Sequence, residues 1–105
     1  TWRERRLKAA GEGYGAEVLA KAAAVDLARH GIAVSLVHPG PIAVPRNAGL
    51  FAAGGTRAGF AARIPMGGPG EPAAVAAAAS YLLDPEATYT TGAEVTVDGG
   101  TTAAF

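Results

Sequence analysis

The chain has 105 residues, 9 Lys+Arg against 9 Asp+Glu, 15 Gly, 7 Pro and no Cys. Half of it is apolar but only 7% is aromatic, which suits one small domain, or a piece of one, with a thin alanine-based core. Zero net charge removes the electrostatic case for nucleic acid or an anionic membrane, and without Cys there are no disulfides, thiolate nucleophiles or Cys-ligated metals.

Four cations fall in the first eight residues (Arg3, Arg5, Arg6 and Lys8) beside Glu4, and Gly11 and Gly13 follow. Residues 1–14 are therefore expected to be a loosely structured, solvated segment. Gly15 to Arg29 has no helix breaker after Gly15 and is rich in Ala, Leu, Lys and Glu, so it reads as a helix. Glu17 and Lys21 stand four apart on its surface, Asp26 and Arg29 three apart. His30-Gly31 closes it, with a cation in the last turn and a glycine stop. The remaining positions are apolar nearly all round, which predicts a helix covered on two sides.

Ile32 to His38 is short, β-branched and ended by Pro39-Gly40. It reads as a buried parallel strand, because a helix feeds directly into it. Residues 41–70 hold much of the Gly and Pro and form a long lid-like connection, with short helical turns expected over 46–53 and 57–63. Glu71-Pro72 opens a second, alanine-rich core helix over Ala73 to Leu83. Ala93 to Asp98 alternates apolar and polar residues like a strand, and Gly99-Gly100 ends it. Two strands alone make no stable sheet in water. The expected fold is thus α/β, part of an open parallel sheet and incomplete in this chain. No apolar run reaches the ~18 residues of a membrane span, no signal peptide is visible, and a cytoplasmic location is expected. His30 and His38 stand at structural junctions, so no metal site is expected.

From Leu19 onward four segments occur in order: LAKAAAVDLARHGIAV (19–34), VHPGPIAVP (37–45), IPMGGPGEPAAVAAAASYLLDPEATYTTG (64–92) and AEVTVDGG (93–100). In that order and spacing they resemble the C-terminal half of the short-chain dehydrogenase/reductase family. The resemblance implies a doubly wound, Rossmann-like parallel sheet with residues 15–105 as its C-terminal part. It also implies NAD or NADP as cofactor, and hydride transfer between nicotinamide and a small apolar ketone or secondary alcohol. The Gly-rich GxxxGxG turn that grips the cofactor phosphates does not occur in these 105 residues, so the chain alone is expected to be inactive. A non-catalytic remnant that acts by association is the alternative. The family's helix over 15–29 packs against a second subunit, which implies a homo-oligomer.

The resemblance assigns Pro39, Gly40 and Ile42 to cofactor binding, with the Ile42 backbone holding the nicotinamide carboxamide. Val44 stands where the family often has Thr. Its catalytic Tyr is matched by Tyr14 in Tyr-Gly-Ala, yet Val18, not Lys, stands four residues on. Counting back from Leu19–Ala28 places the pair at Ala9 and Gly13 instead. Lys21 follows Tyr14 by seven residues, the spacing of the enoyl-reductase branch, and seven residues are about two helical turns. Tyr14 and Lys21 are therefore the catalytic candidates, against an exposed Tyr at a helix start and an exposed Lys paired with Glu17. Leu50, Phe51, Phe60, Ile64 and Met66 either line the lid over an apolar substrate or anchor it. Asp98-Gly99-Gly100 is expected to have a structural role, and His38 to be a strand-end packing residue.

Overall fold

The computed structural model describes residues 15–47 and 61–104. The expectations for the first fourteen residues, for Tyr14, and for Leu50, Phe51 and Phe60 lie outside these. The described elements are helix α1 (Gly15–Leu27), strand β1 (Leu36–Pro39), helix α2 (Pro72–Leu83) and strand β2 (Glu94–Val97). Short 3-10 turns occupy Ala28–His30, 45–47 and Thr102–Ala104. Strands β1 and β2 form a two-stranded parallel sheet. The chain divides into two compact units, one of Thr1–Leu36 with Leu82–Val95, the other of Val37–Tyr81 with Thr96–Phe105.

In the first unit, α1 follows from its run of strong helix formers, and its last turn tightens to 3-10 before Gly31 at φ 72°. Ala20, Ala22 and Ala24 are its buried residues. Ala20 and Ala22 lie about 200° apart around the axis, so cover on two sides holds, although Val25 remains 68% exposed. The Lys21 ammonium pairs with Glu94 Oε2 at 3.1 Å, not with Glu17 one turn back as its spacing suggested. Both partners reach solvent, so the pair is worth at most about 1 kcal/mol.

Strand β1 begins four residues later than its β-branched run does, and two hydroxyls explain why. The Val34 N–H donates to Thr91 Oγ1 (3.1 Å) and the Ala93 N–H to Ser35 Oγ (3.3 Å). Side chains thus take positions that a backbone ladder would fill. Backbone pairing is regular from the Leu36 N–H to the Ala93 carbonyl at 2.9 Å.

Helix α2 starts at Pro72, where a missing N–H costs nothing because the first helical N–H has no intrahelical partner. The expectation of a core helix is not met in this chain. None of its residues is buried, and Tyr81 and Leu83 are 56% and 82% exposed. Among the described residues the buried apolar set is only Ala20, Ala22, Ala24 and Ile64. Alanines and two strands offer too little surface to cover a third apolar face.

Candidate functional site

The site lies in the second unit, at the carboxyl end of β1. Parallel α/β sheets bind ligands beyond the carboxyl ends of their strands. There the chain runs Pro39-Gly40-Pro41-Ile42, and Ile42 forms an isolated parallel bridge with Gly70. The bridge uses the groups on either side of Ile42. The Gly70 N–H donates to the Pro41 carbonyl (3.0 Å), and the Ala43 N–H donates to the Gly70 carbonyl (2.8 Å). In a parallel bridge the flanked residue turns its own N–H and C=O the other way. The Ile42 carbonyl accepts from Asn47 Nδ2 at 2.8 Å. Its N–H has no partner among the described residues.

Asn47 braces this loop from both ends. While Nδ2 holds the Ile42 carbonyl, Oδ1 accepts from the Val44 N–H at 2.8 Å. The Asn47 N–H donates to the Val44 carbonyl, closing a turn over 45–47. The brace sits where Val44 replaces the family's frequent Thr. A cavity of about 650 Å³ borders the loop, lined by residues 39–42 and 44 and by Arg46, Asn47, Pro72, Val75 and Ala76. That volume is in the range of small-molecule sites.

Asp98, at the end of β2, backs the loop. The Gly40 N–H donates to the Val97 carbonyl at 2.9 Å, so Gly40 lies against the chain at 97–98. The Asp98 carboxylate accepts from the Gly100 N–H (2.9 Å), the Thr102 N–H (3.0 Å) and Thr102 Oγ1 (2.7 Å). Its carbonyl accepts from Thr101 Oγ1 at 2.7 Å. The Thr102 hydroxyl first, then the backbone donors, hold the carboxyl below its ordinary value of 3.8. A depressed folded-state value contributes stability that is present above the unfolded value and is lost as pH falls through the folded one. Asp98→Asn is therefore expected to lower stability at neutral pH and to flatten the acid limb below pH ~4. Urea unfolding across that range checks this, and an acid limb as steep in D98N as in the parent contradicts it.

The structure thus brings Pro39, Gly40 and Ile42 together at one cavity. Lys21 belongs to the other unit and is engaged with Glu94. Ile64 is buried at 4% exposure while Met66 is 83% exposed, so of these two lid residues Ile64 is an anchor. Nothing in the family's pattern singles out Asn47 or Arg46. An Asn three residues after Val44 in a Pro-rich loop is the side-chain-to-backbone turn signal that points to the first. For a nicotinamide the donor set fits. The Ile42 N–H is an unused donor for the carboxamide oxygen, and its carbonyl keeps a second lone pair for the amide NH₂.

A family model described as Enoyl-(Acyl carrier protein) reductase matches residues 13–102, a stretch that takes in Tyr14 and Lys21. A 3beta-hydroxysteroid dehydrogenase of Eggerthella lenta is 43% identical over 84% of this chain and 34% of its own length. A cyclopentanol dehydrogenase of a Comamonas species is 39% identical over 79% of this chain and 33% of its own. The crystal structure of acetoin dehydrogenase from Enterobacter cloacae superposes with a TM-score of 0.70 at 35% identity, over 88% of this chain and 36% of that one. The chain spans about a third of the length of the curated relatives it matches. Matched by that family model over most of its residues, and 43% identical to a dehydrogenase over 84% of its length, the chain belongs to the short-chain dehydrogenase/reductase family.

Proposed function

We propose that the chain is the C-terminal portion of an NAD(P)-dependent oxidoreductase that interconverts a ketone and a secondary alcohol, and that it holds the nicotinamide end of the cofactor. The observation that carries this reading is the Ile42 N–H, without a partner among the described residues, in a loop that walls a cavity at the end of a parallel strand. The relatives named for hydroxysteroids, cyclopentanol and acetoin support the substrate class.

When bound, NAD(P) supplies the hydride acceptor or donor. The chain's own part is to orient and to exclude water. The Ile42 N–H shares its peptide plane with the Pro41 carbonyl, which the Gly70 N–H holds at 3.0 Å, and Asn47 fixes the next plane through the Ile42 carbonyl, so little ordering is left to binding. Pro39 and Pro41 stiffen the same loop. The cavity wall of Pro41, Ile42, Val44, Val75 and Ala76 offers no hydroxyl to compete with an alcohol. By resemblance to the enoyl-reductase branch, Tyr14 and Lys21 are the candidates for holding the proton at the substrate oxygen. A phenol near its ordinary pKa of about 10 needs a close cation for that task.

The test is titration of the chain with NADH or NADPH while the amide spectrum is followed. The Ile42 resonance is expected to shift, without turnover of cyclopentanol or acetoin by the chain alone. The alternative, a non-catalytic remnant, draws support from the exposed Val25, Leu83 and Tyr89, and it predicts an unchanged spectrum.

A further inference from the structure

We propose that the cavity beside Ile42 takes a substrate with a carboxylate on an apolar body, and that Arg46 is the residue that receives the carboxylate. This rests on the reading of the cavity as the substrate end of a nicotinamide site.

Apart from Arg46 and Asn47, every described lining residue is Pro, Gly, Ala, Val or Ile. Asn47 commits its oxygen to Val44 and its NH₂ to Ile42, and Val44 has no hydroxyl. Arg46 is thus the one lining side chain with uncommitted donors among the described residues, and no carboxylate there pairs with it or lines the cavity. An apolar wall with a single guanidinium selects a ligand of matching pattern, because the planar fork meets a carboxylate with two parallel hydrogen bonds. The backbone under Arg46 is held by the 45–47 turn and the Asn47 brace, so the cation's root is fixed before binding.

A phosphate shares this chemistry, and the surroundings argue against it. The helix end that borders the cavity begins with Pro72, which has no N–H to offer a phosphate at that position.

Benzoate and benzamide make a suitable probe pair, equal in shape and different in charge. Calorimetric titration of the chain is expected to show benzoate binding about 10- to 100-fold tighter than benzamide. Arg46→Met should erase that preference and leave benzamide affinity unchanged, while Arg46→Lys should keep part of it. Arg46 is exposed, so neither change disturbs the core. Equal binding of the two probes, no binding of either, or a preference that survives R46M overturns the proposal. Displacement of benzoate by inorganic pyrophosphate at lower concentration also overturns it, by assigning Arg46 to the cofactor phosphates. Titrating the same samples with NADPH separates the two readings. Loss of the Ile42 response alone contradicts the cofactor reading, and loss of the benzoate preference alone contradicts this one.

Discussion

Gly40→Ala should destabilise the chain by about 3 kcal/mol, at the upper end of what one added methyl group costs in a well-packed place. Backbone conformation is not the cause, since Gly40 is not among the residues with positive φ. Space is. A Cβ built at Gly40 meets the Asp98 Cβ and lies 2.7 Å from the Asp98 Cα. Main chain cannot swing aside as the tip of a long side chain can. Relief requires β1 and β2 to part at the Gly40–Val97 hydrogen bond, or the Asp98 turn to move with its three carboxylate bonds. Either path also tilts Ile42, two residues on. Urea unfolding of G40A is expected to show a midpoint shift of that size together with weakened NADPH binding. A G40A chain as stable as the parent would show that the approach of Gly40 to Asp98 is not made in solution.

Ile64→Ala is expected to cost about 2–4 kcal/mol, from the transfer of the lost methyl groups plus the cavity they leave. Ile64 is the only buried side chain larger than Ala among the described residues, so no other described residue of the second unit shares the loss as an anchor of its kind. Its Cγ2 lies 2.8 Å from where a Cβ on Gly99 would stand, and the Met66 N–H donates to the Gly99 carbonyl at 3.0 Å. The residue therefore packs against the turn that Asp98 organises. Ile64→Val, which removes one methyl, should cost about 0.5–1.5 kcal/mol. Thermal unfolding of the pair measures both. Equal stability of I64A and the parent would mean that this contact contributes nothing.

What the sequence disclosed depended on how local each cause was. Helix α1 is legible because the residues after Gly15 are mostly strong helix formers and end at a glycine stop, and α2 because Pro72 marks its first turn. The strands are legible in place and overlong in extent. The β-branched run from Ile32 gave no hint that the Ser35 and Thr91 hydroxyls would intercept its first pairings. Lys21 shows the same limit. Spacing brings Glu17 within reach on the helix surface, while the partner it takes, Glu94, is brought near by the fold. The Pro39–Ile42 loop was visible through the family's Pro-Gly pattern. Its Asn47 brace and its backing by Asp98 were not, since each exists only once the loop has closed or two distant strands have paired. The thin core was already visible in the alanine content and low aromatic share.

On the proposed function, the Ile42 N–H is a donor kept for a ligand. The most direct measurement is amide NMR of the chain with and without NADPH, comparing Ile42 with its neighbour Ala43. The Ala43 N–H is already bonded to the Gly70 carbonyl at 2.8 Å. Ile42 is expected to exchange quickly with solvent in the free chain, then to shift and become protected on binding, while Ala43 stays protected throughout. A Ile42 amide that is protected without ligand, or unmoved at saturating NADPH, would contradict it.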